Sequence, residues 1–154
     1  MSTGGLPTWP WAGAVADDLP PPERLLLDAI RAWHAAARMS TPPLPASQFV
    51  LVTEEAGSAA MPLDALLRWA PISAGCPLCP RVLPQEAALL LASALAQRGV
   101  RSEALAAFLR LLPLQSAYGA MPAAIHLGCA LRRAGLLLRH PIREAIRPRP
   151  AARG

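Results

Sequence analysis

The chain has 154 residues, 53% hydrophobic and 16% charged, with 15 basic residues against 10 acids. That length makes about one domain with a core of its own, and the charged share is below the roughly 25% of ordinary soluble domains. No cationic start with an apolar stretch behind it opens the chain, no run reaches the ~20 apolar residues of a membrane span, and the three cysteines, an odd number, argue against a disulfide framework; the expectation is a cytoplasmic helical protein with no membrane span.

All fifteen basic residues are Arg, and Lys and Asn are absent, the codon bias of a GC-rich bacterial genome. The charge is uneven. Residues 129–154 hold 7 Arg against Glu144, whereas residues 1–128 hold 8 Arg against 9 acids.

Residues 1–21, with Trp9-Pro10-Trp11 and Pro20-Pro21, read as a Pro-rich, extended or loosely packed arm that its two Trp are able to dock. Pro22-Glu23 then opens a helix to about Met39, with Leu26, Leu27, Ile30, Trp33 and Ala37 at helical spacing; proline and an acid suit a first turn. The run Ser40–Pro45 ends it. Residues 46–56 carry both strand propensity and a helical face of Phe49, Val52 and Ala56, with Gly57 as a stop; helix is preferred because a lone strand has no partner. A short helix runs from Pro62 to about Trp69, and 71–84 is a proline-punctuated loop holding Cys76 and Cys79. Helices over Pro84–Arg98 and Ser102–Leu112 flank Gly99 and form a hairpin, and Pro122–Ala134 makes another, stopped by Gly135. A helical turn or two around Pro141–Ile146 precedes a disordered, basic Arg/Pro tail at 147–154. The expected fold class is all-α, a small bundle or short solenoid of about 5–7 helices, with a single domain over 22–146.

Residues 87–99 are echoed 36 positions later by 123–135, with six of thirteen pairs identical: Ala87/Ala123, Ala88/Ala124, Leu91/Leu127, Ala94/Ala130, Leu95/Leu131 and Gly99/Gly135. A period of this size marks stacked helical repeats. With Leu91-Ala92, Leu95, Gly99, Glu103-Ala104 and Phe108 in place, and Leu127-Gly128, Leu131 and Gly135 repeating the first half, the segment at about 83–135 resembles a tetratricopeptide repeat. It departs from that pattern where Ala88 and Ala124 stand for the early aromatic and Leu95 and Leu131 for the tyrosine. The resemblance implies a non-catalytic interaction or adaptor module whose concave surface holds a protein or acidic peptide. His126, Cys129, Arg132 and Arg133 would face that surface, the two Arg clamping carboxylates. The copied positions Leu90, Ser93, Ala96 and Gln97 are uncharged, so such a clamp is half built. Uncovered Leu-rich faces also point to a homo-oligomer.

Cys76-Pro77-Leu78-Cys79 is the sharpest local motif. Its two thiols suit a zinc ion if His126 and Cys129, three apart on one helix face, complete the set; they also suit a redox pair, or have no joint role. His34 and His140 read as single side chains outside any constellation. The acid pairs Asp17-Asp18 and Glu54-Glu55 diverge on any regular element, and neither a phosphate loop nor a nucleophile elbow occurs, so no enzyme is expected. Nucleic acid is not the expected partner: the basic tail offers non-specific phosphate contact at most.

Overall fold

A computed structural model describes residues 11–139, and within them the chain folds into six α-helices. These are α1 (Pro21–Arg38), α2 (Pro43–Leu51), α3 (Ala60–Trp69), α4 (Pro84–Gln97), α5 (Arg101–Leu111) and α6 (Leu114–Arg133). The all-α class holds among the described residues, where pairing of extended backbone is limited to one isolated bridge between Val15 and Arg81. No helix among them is long and apolar enough to cross a membrane. Trp9, His140, the turns around Pro141–Ile146 and the 147–154 tail lie outside the described residues.

The centre is α4. All twelve residues from Glu86 to Gln97 are buried, as befits a helix that is apolar on every side. It packs against α1, α5 and α6, while α2 lies on α1 and α3 bridges from α2 to α6. The two echoed segments therefore lie side by side in one core, and the paired positions are equivalent: Ala88 and Ala124, Leu91 and Leu127, Leu95 and Leu131 are all buried.

Proline starts or left-handed stops delimit α1, α2, α4 and α6. Gly99 and Gly135, with φ of 79° and 80°, close α4 and α6 identically. Val100 N–H reaches the Leu95 carbonyl (3.1 Å) and Leu136 N–H the Leu131 carbonyl (2.9 Å), a Schellman ending in both cases. The same ending recurs after α1 and α2 on residues that are not glycine. Ser40 (φ 57°) and Glu55 (φ 58°) take the left-handed position, with Thr41 N–H on the Ala36 carbonyl (2.9 Å) and Ala56 N–H on that of Leu51 (3.0 Å).

Three expectations are corrected. Residues 46–56 are helical only to Leu51, continue as a 3-10 turn over Val52–Glu54, and stop at Glu55 instead of Gly57; Phe49 and Val52 face solvent while Ala56 is fully buried, so they do not share a core face. The last helix starts at Leu114, eight residues before Pro122. The N-terminal arm is not loose from residue 11 onward: Gly13 N–H donates to the Val82 carbonyl (2.9 Å), Val82 N–H to Ala14 (2.8 Å) and Ala16 N–H to Pro80 (2.8 Å), and Trp11 packs against the core.

The loop that receives this arm is held by a buried ion pair. Arg31 of α1 and Glu86 of α4 are 1% and 0% exposed and meet in two parallel bonds, Nε to Oε2 at 2.8 Å and a terminal nitrogen to Oε1 at 2.9 Å. Arg31 also donates to the carbonyls of Cys79 (2.7 Å) and Arg81 (2.8 Å), and Glu86 accepts the amides of Gly75 and Leu83, both at 2.9 Å. Burial pushes the Glu86 carboxyl up, but the Arg31 guanidinium and the two amides outweigh it and hold the group below its ordinary value.

Ser40→Gly and Glu55→Gly should each raise stability by about 1 kcal/mol by removing left-handed strain, and Gly99→Ala should lower it by a similar amount; urea midpoints at unchanged m-value check this. Arg31→Ala should cost about 3–5 kcal/mol. Arg31→Met/Glu86→Leu should not restore that loss, because two carbonyls and two amides lose their partners with the charges. Since Glu86 titrates lower folded than unfolded, the pair's contribution is complete above the unfolded carboxyl value of 4.5 and is lost as pH falls through the lower folded one. The stability gap between the native chain and Glu86→Gln should accordingly narrow on acidification through that range.

Candidate functional site

A concavity lies between α5 and α6. Arg101 and Ser102 open α5 immediately after the Gly99 stop, and Leu105 follows one turn later. On α6, Tyr118, Met121, Pro122, Ile125 and His126 recur at three- and four-residue steps, so they line one stripe of the helix. Together these side chains bound a groove of about 590 Å³, within the size range of small-ligand and peptide-anchor pockets. Pro122 has no amide hydrogen to give the Tyr118 carbonyl, which softens the helix ladder where the groove runs.

Leu105, Met121, Pro122 and Ile125 form an apolar wall. Arg101, Ser102, His126 and the Tyr118 hydroxyl supply polar groups at its rim, and Tyr118 is 58% exposed. Such a combination takes up an apolar side chain while pairing an anion with the guanidinium.

Close approach of α4 and α6 sets where this stripe points. A Cβ on Gly128 would lie 2.8 Å from the Gln97 Cα, so only glycine lets the two helices come this near. The buried Gln97 then works in every direction: its Nε2 donates to the carbonyls of Gly128 (3.1 Å) and Leu136 (2.9 Å), and its Oε1 accepts the Leu138 amide (2.6 Å). On α3, Trp69 covers Gly119, where a Cβ would meet the indole at 2.5 Å.

The residues singled out in the sequence divide. His126, Cys129, Arg132 and Arg133 are all exposed on α6, and His126 lines the groove. Arg132 donates to the Gln97 carbonyl (3.0 Å) and Arg133 reaches only the Cys129 carbonyl of its own helix (3.5 Å); both thus sit on helix-end carbonyls. The copied positions Leu90, Ser93, Ala96 and Gln97 are buried, so the α6 face does not continue across α4 as a shared concave surface. These positions are covered because α4 is enclosed by α1, α5 and α6.

The zinc set is corrected as well. Among the described residues no group of three or more His, Cys, Asp or Glu is placed to hold a metal ion. Cys76 and Cys79 stay with α1, where Arg31 holds the Cys79 carbonyl, while His126 and Cys129 lie on the outer face of α6. Arg101, Ser102 and Tyr118 escaped sequence reasoning. The helical spacing of Tyr118 with Pro122 and Ile125 was the available signal for one of them, but Pro122 reads as a helix start and cuts Tyr118 off from Ile125.

A second concavity of about 460 Å³ is lined by Trp33, His34, Leu67, Arg68, Pro71 and Ile72. Its polar groups are largely committed: the Trp33 indole donates to Asp64 (2.8 Å), which also accepts from Arg68 (2.9 Å), and His34 Nδ1 bonds the Ile30 carbonyl (2.9 Å). Burial pushes the His34 imidazole below its ordinary value, with Arg38 adding to the effect against the opposing Ile30 carbonyl.

No protein-family model matches this chain, and neither a curated protein nor a solved structure does. Gly128→Ala should cost about 1–3 kcal/mol by forcing α6 off α4, and it should disturb the Tyr118 and His126 ring resonances in NMR spectra because the groove stripe moves with the helix.

Proposed function

We propose that this chain is a non-catalytic protein-interaction module that takes an acidic peptide segment of a partner protein in the α5/α6 groove. The observation that carries this reading is the apolar wall with Arg101 and His126 at its rim, set in the positive half of the molecule. Residues 98–139 hold six Arg against Glu103 alone, whereas residues 11–97 hold five Arg against eight acids. Two arginines near α6 spend their bonds on backbone carbonyls, Arg98 on Leu138 and Arg132 on Gln97. A carbonyl leaves their charge in place to attract an anionic segment.

In this arrangement a Leu, Met or aromatic side chain of the partner fills the wall of Leu105, Met121 and Ile125, and a neighbouring carboxylate pairs with Arg101. The echoed helices and their resemblance to tetratricopeptide hairpins support the same class, since those repeats act as peptide-holding scaffolds.

Selection of displayed random peptides against the full chain tests the reading. Enriched peptides should combine one large apolar residue with Asp or Glu, and their affinity should fall as salt rises. Arg101→Glu and Ile125→Glu should each weaken them about tenfold or more, equivalent to about 1.4 kcal/mol, with helix content by circular dichroism unchanged. A selection that enriches the same peptides on native chain and on the Arg101→Glu/Ile125→Glu variant overturns the proposal.

A further inference from the structure

The loop between α3 and α4 carries a second kind of chemistry. We propose that Cys76 and Cys79 are a modification site, a dithiol that hydroperoxides oxidise to an intramolecular disulfide, with Cys76 as the attacking and Cys79 as the resolving sulfur.

The backbone brings the two residues into bridging range. Cys79 N–H donates to the Cys76 carbonyl at 3.0 Å, closing a four-residue turn with Pro77 at its second position, where a fixed φ favours the turn. Such turns hold their first and last Cα within about 7 Å, and disulfides span about 4.4–6.8 Å. The turn is also anchored from both sides to one buried group of charges: the Gly75 amide bonds Glu86 and the Cys79 carbonyl bonds Arg31. Ordering that a disulfide would otherwise impose is therefore largely present beforehand.

The two sulfurs differ in access, which sets their order. Cys76 is exposed and Cys79 is half-buried, and Leu78 at the tip is 90% exposed, so an oxidant reaches Cys76 first. The Cys79 thiol donates to the Arg81 carbonyl at 3.4 Å, which ties it to the backbone that follows the turn. Beside it the missing side chain of Gly75 leaves room, since a Cβ there would stand 3.3 Å from the Cys79 sulfur.

The chemistry balances with the hydroperoxide as oxidant. The Cys76 sulfur attacks the terminal peroxide oxygen; the O–O bond breaks, and water, or an alcohol from an organic peroxide, leaves with the thiol proton. Cys79 then attacks the sulfenic sulfur of Cys76; the S–S bond forms, the S–O bond breaks, and its hydroxyl leaves as water with the second thiol proton. Two thiols have lost two electrons and two protons, and the peroxide has been reduced.

The test treats the reduced full chain with stoichiometric hydrogen peroxide, alkylates the remaining thiols, and maps the bridge by peptide mass spectrometry. A loss of about 2 Da, with Cys129 as the only alkylated residue, is expected. Cys79→Ser should stop at a Cys76 sulfenic acid that dimedone traps, and Cys76→Ser should react several-fold more slowly. Oxidation should also raise the melting temperature of the native chain and leave that of Cys76→Ser unchanged, because the bridge restricts the unfolded chain while the native turn already holds the two residues in range. Three alkylatable thiols after treatment, a bridge through Cys129, or equal peroxide reactivity of the two single variants overturns the proposal.

Discussion

The Arg31–Glu86 pair is the constraint on which the rest of the structure depends. Neither charge is exposed, and isolated burial of either would cost several kcal/mol. They persist because each polar atom has a partner: the guanidinium spreads over a carboxylate and two carbonyls, and the carboxylate over a guanidinium and two amides. A dependency then runs outward. Arg31 fixes the carbonyls of residues 79 and 81, the extended backbone at 80–82 becomes a template, and residues 13–16 dock upon it. One pair thus binds α1, α4, the proline-rich loop and the N-terminal segment, although its members stand 55 residues apart.

The central helix carries a second polar anchor at its other end. Gln97 does for the segment after α6 what Glu86 does for the loop before α4, satisfying two carbonyls and one amide at once. Between these ends α4 is almost wholly Ala and Leu, which supplies burial but little directional information. Uniform apolar packing tolerates sliding and rotation. Two satisfied polar residues 11 positions apart give such a helix a fixed register against its neighbours, and the close contact at Gly128 fixes its spacing from α6.

Elements with punctuation were legible in the sequence. Pro21–Arg38, Ala60–Trp69, Pro84–Gln97 and Arg101–Leu111 lie within two residues of where prolines, acids and glycine stops placed them. The failures have physical causes. Interior Pro122 mimicked a start, because its exposed ring and the missing amide are tolerated in a helix that α3, α4 and α5 support. Glu55 took a left-handed stop that glycine normally fills. Phe49 on α2 and Val52 in the tighter turn after it face solvent, and the helix ends before buried Ala56, so the stripe drawn through all three in the sequence is not continued in the fold. Arg31 and Glu86 were illegible for another reason: each resembles an ordinary surface charge, and nothing local announces a partner on another helix. His126 was singled out as one of an exposed helix face; that it lines the same groove as Arg101 depends on how α5 packs, which only the three-dimensional arrangement fixes.

The distribution of charge and of its partners also differs between the two halves of the molecule. In the N-terminal half three cations meet acids directly, Arg24 with Asp17 and Asp28, Arg31 with Glu86 and Arg68 with Asp64, while Arg38 and Arg81 donate to the carbonyls of Ala74 and Gly13. Near α6 the guanidinium bonds of Arg98 and Arg132 end on carbonyls at Leu138 and Gln97. Carbonyl dipoles satisfy hydrogen bonds without cancelling a unit charge, so the field falls off with screening over about 8 Å at physiological salt and not through local neutralisation. Arg101 stands at the rim of the groove within this region. The same residues that tie the chain's C-terminal segment to its core therefore bias the adjoining groove toward anions, and structure and electrostatics there arise from one set of contacts.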